Sequence, residues 1–170
     1  MRMRKVLLIA VFLLTGMMAE AETNIPASQA RYIYNIIRYI KWPENSVGDK
    51  FIIAVYGNSP VYTELVNYTK TRKFGSKPFV VYRTNNIAEL EGCHVVFVTD
   101  EKTDQLKDLK LRTGNTPTLV ISEREGSIEM GANIELLFQN NALTFKINET
   151  ATKEKQLVVS QELIKLSNRS

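Results

Sequence analysis

The chain reads as an α/β protein, a three-layer sandwich with a mostly parallel mixed sheet that ends in an antiparallel hairpin. Three observations predict this. Four short runs, Phe51 to Tyr56, Phe79 to Tyr82, Val95 to Val98 and Thr118 to Ile121, are rich in β-branched and aromatic residues and do not alternate with polar ones. Continuous runs of that length suit strands buried on both faces, as in parallel sheets covered by helices. The segments between the runs carry helix starts and inner faces. After Ser122 the pattern changes to two runs, Ile134 to Phe138 and Leu143 to Ile147, flanking Gln139-Asn140-Asn141. Asparagine tolerates the positive φ of a tight turn, so this pair predicts a hairpin.

The elements follow in chain order. Arg2, Arg4 and Lys5 precede the 13-residue apolar run Val6 to Met18, and Ala19-Glu20-Ala21 is the small-residue pattern of a cleavage site. The run is shorter than the roughly 20 residues a membrane-spanning helix needs. Residues 1–21 are therefore expected to be a cleaved signal peptide, leaving 22–170 as one exported domain without stable membrane insertion. Glu22 to Pro26 and Asn168 to Ser170 are expected to be mobile ends.

Ala27 to Lys41 predicts a helix ended by Pro43, because the residue before a proline disfavours helical geometry. Ala30, Ile33, Tyr34, Ile36, Ile37 and Ile40 share a broad apolar arc, with Arg31, Asn35 and Arg38 on a narrow polar one. Tyr32 and Tyr39 lie on the border between the two arcs. Ser59-Pro60 predicts a second helix start, with Val61, Leu65 and Tyr68 inward. Asp100 is expected to cap a crossover helix through about Lys110, and Asn86 to Glu91 to form a shorter link. Asn148 and Ser160 are read as caps of two last helices.

Charge and composition exclude several functions. The formal net charge of +4 includes Arg2, Arg4, Lys5 and Glu20 of the leader, and no run of five basic residues occurs. Nucleic acid binding has little electrostatic support. Cys93 and His94 are the only cysteine and histidine, and neighbours on a strand point to opposite faces. They cannot share a metal ion or work as nucleophile and base, so no metal site, cofactor or catalytic residue is assigned. A packed, hydrogen-bonded His94 and a buried Cys93 are expected, with an intermolecular disulfide as the alternative for Cys93.

Open parallel sheets bind ligands beyond the carboxyl ends of their strands. Asn58, Ser59, Thr99, Asp100 and Ser122 fall there and form a candidate small-molecule crevice, although such residues also serve as ordinary turns and caps. The Ser122-Glu123-Arg124-Glu125-Gly126 loop is read as solvated.

Several fragments together carry a family resemblance. Ala30 to Lys41 followed by Trp42-Pro43 resembles the aromatic-rich opening helix of the YfiR-like family. Gly92 to Val98, Pro117 to Ser122, Gly131-Ala-Asn-Ile134, Phe145-Lys-Ile-Asn148 and Leu157 to Leu166 match in order over nearly the whole exported part. The positions that match are Trp42, Pro43, Gly92, His94, Gly131, Asn148 and Leu163. The resemblance implies a non-enzymatic periplasmic regulator whose partner is a membrane signalling protein, a diguanylate cyclase of cyclic di-GMP signalling or a sensor histidine kinase. It also implies a homodimer. The namesake's paired cysteines are absent, so redox control through an internal disulfide is not carried over.

An apolar arc this wide needs covering on more than one side. Tyr32, Ile36, Tyr39 and Trp42 are read as a patch for dimerisation or partner docking, since aromatic residues at the margin of an apolar stripe suit interfaces. The competing expectation is that the last helix, from Ser160, covers the patch within the same chain.

Overall fold

The computed structural model describes residues 24–167, so the expected leader, its cleavage point and the tail from Asn168 lie outside the described residues. In chain order the elements are α1 (Ile25–Arg38), β1 (Ile40–Lys41), β2 (Phe51–Tyr56), α2 (Val61–Thr69), β3 (Lys73–Phe74) and β4 (Lys77–Thr84). A 3-10 turn (Ile87–Leu90) leads to β5 (Val95–Val98), and a 3-10 segment (Asp100–Gln105) runs into α3 (Leu106–Thr113). Then follow β6 (Leu119–Ser122), α4 (Ser127–Met130), β7 (Ile134–Gln139), β8 (Ala142–Ile147), α5 (Glu149–Glu154), β9 (Val158–Val159) and α6 (Gln161–Ser167).

Seven strands form one mixed sheet in the order β3-β4-β2-β5-β6-β7-β8. The five central strands are parallel, and each edge is an antiparallel hairpin. The expected α/β class with a mostly parallel sheet is what the chain adopts. The closing hairpin turns on Asn140 and Asn141, both at positive φ, as a two-residue turn between right-twisted strands requires. The opposite hairpin was not expected. Phe74 pairs with Lys77 around Gly75-Ser76, and two-residue β3 is too short to show a period of its own.

One face of the sheet packs Ile53, Val55, Val95, Phe97, Leu119 and Ile121 against Ile33 and Ile37 of α1, Leu65 of α2 and Leu163 of α6. The other packs Ala54, Tyr56, Val96, Val98 and Val120 against Leu90, Leu106 and Leu109. Successive strand residues thus feed two separate cores, which is why the runs do not alternate with polar residues.

The caps follow the sequence reading, with shifts. Asn148 accepts the Ala151 N–H at 2.9 Å, and Ser160 Oγ the Leu163 N–H at 3.2 Å. Ser59 Oγ accepts the Val61 N–H at 3.2 Å. Asp100 does not cap a helix from outside but lies within the 3-10 segment, with Thr99 before it. Helix α1 begins earlier than expected because Asn24 Oδ1 accepts the Ala27 N–H at 3.0 Å and Pro26 sits in the first turn. Ile25 and Pro26 therefore belong to the helix and not to a mobile end. It also stops at Arg38, ahead of Pro43, because Ile40 and Lys41 leave it to pair with Val159 and Val158 of β9.

Trp42 is drawn into an aromatic cluster around Phe51, which is fully buried. Trp42 and Phe79 meet the Phe51 ring edge-on at 4.9 and 5.4 Å, Phe74 lies against it at 4.3 Å, and His94 stacks on it at 4.8 Å. Because one ring joins five segments, Phe51→Ala is expected to cost about 3–5 kcal/mol, the range for emptying a buried phenylalanine site. Chemical denaturation of the two proteins measures this, and a loss below about 1 kcal/mol would refute the central role of the ring.

Candidate functional site

The single histidine and cysteine do diverge. His94 Nδ1 accepts the Ile52 N–H at 2.9 Å, which places the ring proton on Nε2, facing the Ser46 carbonyl at 3.2 Å. Both nitrogens are thereby satisfied by backbone in the neutral ring. Burial holds the His94 pKa below its usual value, opposed by the bond to the Ser46 carbonyl. Cys93 lies on the other side, its Sγ 2.9 Å from the Tyr82 hydroxyl, which also donates to the Glu89 carbonyl. Burial pushes the thiol pKa up. A protonated, 3 % exposed thiol is poorly placed for a disulfide to another chain. Among the described residues, no three His, Cys, Asp or Glu side chains gather as a metal-holding group.

The predicted crevice residues lie at the same end of the sheet, where the chain's own side chains already occupy their backbone partners. The order of the sheet puts the switch point between β2 and β5, where the connections diverge to left and right. There Thr99 Oγ1 donates to the Tyr56 carbonyl at 3.1 Å. A Cβ on Gly57, at φ +111°, would lie 1.9 Å from Thr99 Oγ1. The backbone N–H groups that could receive an anion already have carboxylates: Asn58 N–H donates to Glu101 at 2.8 Å and Asp100 N–H to Glu123 at 3.1 Å. Glu123 also accepts from Gln29 of α1 at 2.9 Å, so it is a structural tie and not a solvated loop residue. Ser59 is used as a cap and Ser122 is fully buried.

The predicted patch divides. Tyr32, Ile36 and Tyr39 line a groove of about 420 Å³, whose opposite wall is Leu143 and Phe145 of β8 with Leu163 and Leu166 of α6. Trp42 does not line it: it is 8 % exposed and its indole N–H donates to the Pro117 carbonyl at 2.8 Å. The tryptophan is a core residue, which corrects its expected place in the patch. Ile36 is also almost wholly buried, so Tyr39, 39 % exposed, and half-buried Tyr32 form the accessible aromatic part of the α1 wall, beside exposed Asn35 and Arg38. The last helix flanks the patch without sealing it. Strand β8 is the end strand of the sheet, so the groove runs beside an edge with no strand neighbour among the described residues.

Leu143 and Phe145 were missed as groove residues. They read as ordinary inward positions of a hairpin, and only the placement of α6 leaves a gap over them. The fragment Phe145 to Asn148 resembles the family's sequence but carries no orientation for its side chains.

A family model described as YfiR/HmsC-like matches residues 26–168. No curated protein matches the chain at a significant level. No helix among the described residues is long and apolar enough to cross a membrane.

The buried neutral imidazole makes a pH prediction. A histidine whose folded pKa lies below its unfolded value of 6.5 binds fewer protons when folded. Its stabilising contribution is complete above about pH 6.5 and declines as pH falls toward the folded value. In His94→Asn, whose side-chain oxygen can accept the Ile52 N–H, the loss of thermal stability between pH 7 and pH 5 is expected to be smaller than in the parent. Equal losses in the two proteins would exclude this role for His94.

Proposed function

Because the chain belongs to the YfiR/HmsC-like family, whose model spans residues 26–168, we propose that it is a periplasmic, non-enzymatic regulator that binds the periplasmic part of a membrane signalling enzyme. The output enzyme is a diguanylate cyclase or a sensor histidine kinase. The export signal read in residues 1–21 supports the compartment, and 22–170 is then the regulatory domain.

The observation that supports docking is the groove between α1, β8 and α6. It is walled by Tyr32, Ile36, Tyr39, Phe145 and Leu163, with Arg38 and Asn35 at its border. An apolar floor with tyrosine and arginine around it is the composition of energetically productive interfaces. The alternative occupant is a second copy of the chain, which gives the homodimer the resemblance implies. The crevice at the strand ends supports a ligand-binding reading less well, since Glu101 and Glu123 already hold its N–H groups.

The test pairs Tyr32→Ala with Tyr39→Ala. The full chain, crosslinked in cells, is expected to capture a membrane protein carrying a cyclase or kinase output domain. The double variant is expected to lose this capture while keeping its fold by circular dichroism. Each truncation at a hot spot costs about 2 kcal/mol, roughly thirtyfold in affinity. Sedimentation of the same variant separates the second copy from the membrane partner. If the variant retains both partner and oligomeric state, the groove is not the docking surface.

A further inference from the structure

A second cavity, of about 460 Å³, lies between α3 and α5 above the Gly131 to Asn133 segment that enters β7. It is lined by Lys107, Lys110, Leu111, Gly131, Asn133 and Lys155. We propose that this cavity is a binding site for a small dianionic oxyanion, a phosphate or phosphate monoester. The proposal does not depend on the docking groove, which lies elsewhere and is lined by other residues.

The donors point to that chemistry. Asn133 is fully buried and its Oδ1 accepts the Val120 N–H at 2.9 Å, which fixes the orientation of the amide. Its Nδ2 has no partner, which a buried donor rarely lacks. Lys155 is 4 % exposed and donates to Thr113 Oγ1 at 2.9 Å and the Gly114 carbonyl at 3.0 Å. An ammonium has three N–H groups, so one remains. No carboxylate lies within ion-pair distance of Lys155, Lys107 or Lys110 among the described residues. Burial and the neighbouring Lys110 push the Lys155 pKa down to about 8, with Glu154 opposing.

Three ammonium groups against one carboxylate, Glu154, leave a local charge near +2, which a dianion balances. The stem of Lys110 lies 3.3 Å from where a Gly131 Cβ would be, so the absence of that Cβ lets the lysine lie along the cavity wall. Leu111, 81 % exposed at the rim, offers an apolar contact to an organic substituent.

The experiment is calorimetric titration of the exported chain, at fixed ionic strength, with inorganic phosphate, glycerol phosphate and chloride. Amide NMR follows the Asn133 side-chain NH2 in parallel. Saturable binding of phosphate with movement of the Asn133 resonances is expected. Tighter glycerol phosphate binding would assign the site to a monoester, and equal affinities to free phosphate. Lys107→Gln with Lys110→Gln, at two exposed positions without ion pairs, is expected to weaken binding at least tenfold with the fold kept. Lys155→Met is expected to do the same, and the double variant decides alone if that protein does not fold. Indistinguishable phosphate and chloride responses, unchanged affinity in the double variant, or unmoved Asn133 resonances would each overturn the proposal.

Discussion

The contact on which the rest of the structure depends is the seat of Phe51 at the start of β2. Its ring touches Trp42 from just after β1, Phe74 and Phe79 from the edge hairpin, and His94 from the entry to β5. None of these side chains brings an unsatisfied group into the core. The indole N–H reaches the Pro117 carbonyl, and the imidazole is bonded on both nitrogens by backbone. A buried cluster that contains polar atoms is stabilising only when those atoms are paired, and here the pairing also joins the α1–β2 connection to the segment before β6.

Fixing the carboxyl-terminal end of α1 in this way sets what its other side can do. The helix lies with Gln29, near its start, bonded to Glu123 beyond β6, and its end near the start of β2. It therefore crosses the sheet face antiparallel to the strands. Ile33 and Ile37 face the sheet, Tyr34 packs on Tyr68 and Phe79 toward α2, and Tyr32 and Tyr39 turn toward β8 and α6. The wide apolar arc is thus divided among three neighbours, the last of which leaves a gap.

The two ends of the sheet differ in electrostatic character. At the carboxyl end of the strands, Glu101 and Glu123 turn back on the backbone N–H groups that a ligand would otherwise meet. Near the start of β7, a cavity is lined by Lys107, Lys110, Lys155 and Asn133, whose Nδ2 has no partner. The usual rule for ligand position in parallel sheets leads to the first place. Partner accounting leads to the second, because unpaired donors, not strand direction, decide where an anion gains free energy.

The sequence by itself determined the parallel core, the Asn140-Asn141 hairpin, the caps at Asn148 and Ser160, and the divergence of Cys93 from His94. Each depends on local periodicity or on the conformational freedom of one or two residues, which act within a few positions along the chain. Only the tertiary structure decided that α1 yields Ile40 and Lys41 to β9, that Trp42 belongs to the core and Tyr39 to a groove, and that Glu101 and Glu123 close the strand ends. It also decided that Lys110 and Lys155, 45 positions apart, share one cavity with Asn133. These outcomes depend on partners far away in sequence. A tryptophan, a glutamate or a lysine acquires its role from whichever distant donor, acceptor or ring the fold brings into reach, and that information is not present in local pattern.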